Sequence, residues 1–256
     1  LSPRRHRRIA DLLSLLLTLA LSAYLLVPGL GLDLLKLEKR FGWSVPTPWS
    51  EPAKPVGNDL AQAIESLRVR GGKYESTHSY HRDVFGQAWA DEDHNGCDTR
   101  NDILARDLKE VTYKNPARPC KVMSGTLAEP YTGQIMHFQR GPKTSPLVQI
   151  DHVVALGDAW RSGAETWDLA RRQKFANDPL NLLATEGQAN EDKGSMSADQ
   201  WLPPDTNYHC AYVARQVAVK SKWNLSVTKP ELNTFRKVLR GCPGQHLPQD
   251  LNQVHP

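Results

Sequence analysis

Three segments carry the reading: Leu147-Val148-Gln149-Ile150-Asp151-His152, then Asn181-Leu182-Leu183, then Asn190-Glu191-Asp192-Lys193-Gly194. The apolar run from Leu147 to Ile150 reads as a short strand that ends directly in a carboxylate and an imidazole. Adjacent strand side chains point to opposite faces, but where the strand turns both can serve one site. Asp151 is a hard oxygen ligand of the kind that suits Mg²⁺. His152, with a reference pKa of about 6.5, takes a proton from water at neutral pH. Asn190 offers a neutral amide oxygen. On a helix Lys193 shares its face, where an ammonium meets a phosphate oxygen or a developing charge.

Outward from this stretch, the periodicity predicts a mixed α+β domain. Helices are expected from Asn58 to about Arg68, from Thr99 to Glu110, from Ala164 to Phe175 and from Tyr208 to Trp223. Thr228 or Lys229-Pro230 opens a last helix to about Leu239. Short β-prone runs lie at Val111-Thr112-Tyr113, from Gly133 to Phe138 and from Leu147 to Ile150. There is no internal repeat, no Gly-rich phosphate loop and no nucleotide-binding glycine fingerprint, so a nucleotide cofactor has no support. No Gly-x-Ser-x-Gly elbow occurs, which disfavours a serine hydrolase.

The first residues read as an export signal. Arg4, Arg5, Arg7 and Arg8 precede a run from Leu12 to Leu32 without a charged residue. As a helix that run would span about 31 Å, near the thickness of a bilayer core. The layout suits a cleaved signal peptide or an uncleaved membrane anchor, with the domain outside the cell in either case. The expected division is a signal or anchor over 1–35, a Pro-rich linker over 36–57 and the domain over 58–256. The net charge of +4 is weak evidence for any partner, because half of the excess sits in the terminal arginines. All four cysteines lie beyond the apolar run and none forms a C-x-x-C pair. That favours two disulfides over a zinc ribbon, with Cys97–Cys120 and Cys210–Cys242 as the sequence-local pairing.

The order Asp151-His152, Asn181, Asn190, Lys193 resembles the HNH nucleases of the His-Asn-Asn variant. Wider stretches look similar to exported HNH-endonuclease-like proteins of actinobacteria. These include Asn95-Gly96-Cys97-Asp98-Thr99-Arg100, Ser124-Gly125-Thr126-Leu127, Tyr131-Thr132-Gly133, Asp178-Pro179-Leu180-Asn181-Leu182 and Trp201-Leu202-Pro203-Pro204. The resemblance implies a ββα-metal core with added helices, gripping one divalent cation, Mg²⁺ first and Mn²⁺ as an alternative. It implies Asp151 and Asn190 as metal ligands, His152 as general base, Asn181 as the residue that holds the His152 loop, and Lys193 at the phosphate. Arg100 belongs to a family-like stretch and is a second phosphate candidate, with ion pairing to Asp98 or Asp102 as the competing reading. The substrate so implied is nucleic acid, DNA favoured, cut with low sequence specificity.

Two features depart from that pattern. Many HNH proteins carry a second His where Asn190 stands, and the zinc-binding Cys pairs of others are absent, so a third metal ligand is not identified. A catalytically idle surface protein that keeps the fold as a binding scaffold is therefore the alternative function. The run Asp91-Glu92-Asp93-His94-Asn95-Gly96 opens like a calcium loop, but Asp102 stands where the bidentate Glu belongs, and a solvated acidic turn is the preferred reading.

Overall fold

Near-continuous burial along 148–152 and 182–186 marks the pair of strands on which the candidate residues sit. In a computed structural model of the chain, which describes residues 56–71 and 77–248, these are β4 (Val148–His152) and β5 (Leu182–Glu186). They pair antiparallel, with Asp151 opposite Leu183 and His152 opposite Leu182. The helix α5 (Gly187–Lys193) follows β5 directly. Its N-cap is Glu186, whose carboxylate accepts from the backbone N–H of Gln188 and Ala189. Strand, strand and helix thus form one ββα unit.

A second sheet precedes it. The strands β1 (Leu108–Tyr113), β2 (Val122–Ala128) and β3 (Ile135–Gln139) form an antiparallel meander in the order β1-β2-β3. The helix α2 (Thr99–Asp107) starts on the Asp98 cap and inserts Ile103 and Leu104 between the sheets. There they meet Phe138, Ile150 and Leu182. A second core cluster joins α1 (Asn58–Ser66), α6 (His209–Lys222) and α7 (Lys229–Leu239) through Leu60, Val213, Val217 and Phe235. A third gathers α3 (Leu156–Arg161) and α4 (Leu169–Ala176) around Phe85, Trp160 and Phe175.

The expected α+β class matches this architecture, with differences in detail. The strand β4 runs through Asp151 and His152 instead of stopping at Ile150, because both residues keep strand pairing with β5. The helix expected over Ala164–Phe175 is split. A 3₁₀ turn at Ala164–Thr166 ends at the extended Trp167, and α4 restarts on the Asp168 cap. Helix α2 stops at Asp107, where Leu108 turns extended and opens β1. Strands β2 and β5 and helix α3 had no counterpart in the periodicity. Thr228 and Glu231 form the capping box of α7. The expectations for residues 1–35, and for 36–55 of the linker, lie outside the described residues. Among the described residues no helix is long and apolar enough to cross a membrane.

Covalent and ionic ties close the domain. Disulfides join Cys97 to Cys120 and Cys210 to Cys242, with Cα separations of 5.4 and 5.7 Å. The first ties the approach to α2 to the approach to β2, and the second ties the start of α6 to the end of α7. Between α3, α6 and α7, Lys220 is fully buried with its Nζ 2.7 Å from Asp158 and 2.6 Å from Glu231. Burial pushes the Glu231 carboxyl above the usual carboxylate range, while Lys220 pulls it back. Burial also opposes charge on Asp158, but there the ammonium wins and holds its pKa low.

Two outcomes follow for stability. Lys220→Met strands two carboxylates in the core and should cost about 3–5 kcal/mol, read as a lower denaturant midpoint at unchanged slope. Reducing both disulfides should lower the melting temperature, each loop contributing about 3 kcal/mol in the chain-entropy model.

Candidate active site

Side chains two apart on a strand share a face, so Gln149 and Asp151 project together from β4 toward α5. Gln149 Oε1 accepts from Asn190 Nδ2 at 2.7 Å, and Asp151 Oδ1 accepts from Lys193 Nζ at 2.9 Å. The same ammonium donates to the His152 carbonyl at 2.8 Å. Asp151 Oδ2 accepts from the Tyr131 hydroxyl at 2.5 Å. Burial raises the Tyr131 phenol well above its usual range, and the Asp151 charge raises it further, so it stays a donor. A further layer orients Tyr131. Its backbone N–H donates to Glu129, and Glu129 also accepts from Thr185 on β5.

His152 is 6% exposed, and its ring lies 6.3 Å from that of Trp89 with 20° between the planes. Its Nε2 lies 2.8 Å from the Ala176 carbonyl oxygen at the end of α4. A carbonyl only accepts, so Nε2 carries the hydrogen. Burial pushes the His152 pKa down to about 4, the Arg82 charge presses the same way, and the Ala176 bond opposes both. The imidazole is therefore neutral at physiological pH, with its lone pair on Nδ1. No described hydrogen bond occupies that atom.

Asn181, fully buried, holds the chain just past His152. Its Oδ1 accepts from the Val154 N–H at 2.8 Å and its Nδ2 donates to the Val154 carbonyl at 3.1 Å. Two guanidinium groups grip the turn that delivers it. Arg106 donates to the carbonyls of Pro179 and Leu182, and Arg215 to those of Leu180 and Leu182.

A cleft of about 420 Å³ opens beside these groups, lined among others by Arg82, Trp89, Arg100, Asp151, His152 and Asn190. The structure thus brings Asp151, His152, Asn190 and Arg100 to one cavity. Asn181 and Lys193 lie behind it. Lys193, expected at the substrate phosphate, is instead 0% exposed and is the counter-ion of Asp151. An ammonium this deep survives only against a carboxylate, and Asp151 is the one in reach. Arg100 forms no ion pair with Asp98 or Asp102; it donates to the Val148 carbonyl and lies over the Trp89 ring. Tyr131, Gln149, Arg82 and Trp89 were missed as site residues. Two had a legible signal: Gln149 alternates with Asp151, and Tyr131 opens the family-like stretch Tyr131-Thr132-Gly133.

Two oxygen donors at the cleft remain open to a hard cation. Each Asp151 oxygen accepts one bond, which leaves each a lone pair, and the Gln149 contact uses only the nitrogen of Asn190 and leaves Oδ1 available. Two oxygen donors completed by water fit Mg²⁺, which keeps much of its hydration shell. Among the described residues no group of three His, Cys, Asp or Glu side chains forms a metal cluster. A site of many protein ligands is thus not what these residues offer.

Residues 98–238 match the family model described as GmrSD restriction endonucleases, C-terminal domain. A relative from Arthroderma benhamiae, described as an uncharacterized secreted protein, is 34% identical over 200 residues, which is 77% of this chain and 90% of the relative. No solved structure matches the chain. The family match runs from the Asp98 cap of α2 almost to the end of α7 and takes in β4, β5 and α5 whole, so the chain belongs to the GmrSD restriction endonuclease C-terminal domain family.

Proposed function

We propose that residues 58–256 are a metal-dependent endonuclease of the HNH type in its His-Asn-Asn variant, acting on nucleic acid, DNA favoured, outside the cell. The observation that carries the reading is the tautomer of His152. A neutral ring tied down through Nε2–H, with Nδ1 open beside a cleft that holds a carboxylate and two guanidinium groups, is a general base facing an anion site. The family match supports phosphodiester hydrolysis. The two disulfides and the secreted relative support an extracellular setting, with residues 1–35 as the export or anchor segment.

In this reading His152 Nδ1 takes the proton of the attacking water, and the Ala176 carbonyl keeps the ring aimed while it does so. Asp151 and Asn190 would hold Mg²⁺ or Mn²⁺, which when bound supplies Lewis-acid stabilisation of the charge that develops on phosphate oxygens. Lys193 and Tyr131 fix both oxygens of Asp151 so that the carboxylate meets its ligand without reorganising. Asn181 fixes the loop after the base. Contacts of this kind read backbone and not base edges, which gives low sequence specificity.

A catalytically idle scaffold is the second reading. It is favoured by the Lys193 ammonium, which already balances the charge of Asp151. Purified protein should degrade DNA with Mg²⁺ or Mn²⁺ and stop in EDTA, and His152→Ala should lower kcat by about 10²–10⁴ with Mn²⁺ binding retained. An inert wild-type protein that binds no divalent ion supports the scaffold instead.

The low pKa of His152 has a sign that can be checked in metal-free protein. The unfolded chain protonates this imidazole near its ordinary value of about 6.5, and the folded chain only near 4. Between those values the unfolded state binds more protons, so stability falls as pH drops from about 6.5 toward 4. Chemical denaturation across that window should show the slope in the wild type and a shallower one in His152→Gln.

A further inference from the structure

We propose that Arg82 and Arg100 are the phosphate clamp of this cleft, filling the place that Lys193 does not. The inference rests on the nuclease reading and adds to it the residues that hold the substrate backbone. Arg100 stands in the first turn of α2, and its guanidinium Nη2 donates to the Val148 carbonyl at 3.0 Å. That bond fixes the group beside β4 and leaves most of its five N–H donors uncommitted. Its carbon lies 6.0 Å from the centre of the Trp89 ring, so the indole supports it from one side. Burial presses the Arg100 pKa down and the nearby Arg140 charge does the same, while Asp98 opposes them only in part. A half-buried guanidinium with no carboxylate in direct contact gains from an arriving anion.

Arg82 opens the 3₁₀ turn Arg82–Phe85. Its base is rigid: Phe85 is 1% exposed and packs 6.2 Å from the Trp160 ring and 6.0 Å from the Phe175 ring. The Arg82 side chain lines the cleft and makes no hydrogen bond or ion pair with any described residue. Trp89 holds a positive φ of 58° and its ring faces both His152 and Arg100, so Arg100 and the histidine are registered to one plate, with Arg82 lining the same cleft. The charges decide the ligand. The one carboxylate lining the cleft, Asp151, is already balanced by Lys193, so neither guanidinium meets a free carboxylate within the cleft. Guanidinium forks match phosphate oxygens in pairs, and a phosphodiester backbone presents them in series.

The test is binding of a labelled duplex DNA oligonucleotide to full-length protein carrying His152→Ala, over a salt series. Arg82→Ala and Arg100→Gln are compared, the second keeping an amide to donate to Val148. Each should weaken binding about tenfold at 0.1 M salt and reduce the slope of log K against log salt by about 0.9. Arg236→Ala, which loses only the exposed pair with Glu65, should leave both quantities unchanged. Unchanged affinity and slope in folded Arg82→Ala and Arg100→Gln, while the wild type still cleaves DNA, would overturn the clamp and leave the nuclease reading standing. A wild type that neither binds nor cleaves nucleic acid removes both.

Discussion

Everything at the cleft hangs on one ammonium. Lys193, the last residue of α5, reaches into the protein and holds the Asp151 carboxylate and the His152 carbonyl at the same time. Through it α5 is tied to the end of β4 by charge as well as by packing. Removing a buried charge from water costs several kcal/mol, so such a pair adds little net stability. Its contribution is to make one arrangement of strand and helix far better than its neighbours. Tyr131 completes that arrangement from the other side, and Glu129 and Thr185 extend it across the sheets.

A second constraint works on the turn before β5. Carbonyls of Pro179, Leu180 and Leu182 would face a dry interior, and backbone oxygens there must find donors. Arg106 and Arg215 supply them from two different helices, and Asp107 accepts the Ala184 N–H next to them. The turn is thereby rigid, and Asn181 inherits that rigidity. Since both ends of its amide engage Val154, the path of the chain leaving His152 is set by residues far away in sequence. The His152 loop is held by the fold as a whole.

The elements that were legible in the sequence share a physical cause. Helix α7 buries Leu232, Phe235 and Leu239 at helical spacing, and the Thr228–Glu231 box announces where it begins. Asp151, His152 and Asn190 could be singled out because carboxylate, imidazole and amide at that spacing are reactive types. The role of Lys193 was not legible, since a lysine before a glycine looks the same whether it points to solvent or to a carboxylate 42 residues earlier. Strand β5 was hidden because its Asn181-Leu182-Leu183 entry is too short for a period to show. Trp89 and Arg82 became site residues only through tertiary contact, the first by way of a positive φ that no pattern in the chain encodes.

The bond between Asp151 and Lys193 also shapes how such a site can decay over evolutionary time. Losing either partner alone leaves an uncompensated charge in the interior, so the pair is defended by folding whether or not it is defended by chemistry. His152 is under no such guard: its ring is neutral and makes one hydrogen bond, to the Ala176 carbonyl. Replacing the histidine by another neutral side chain strands no charge, whereas replacing the aspartate or the lysine does. Among proteins that share this fold, an intact Asp–Lys pair therefore reports on folding before it reports on chemistry.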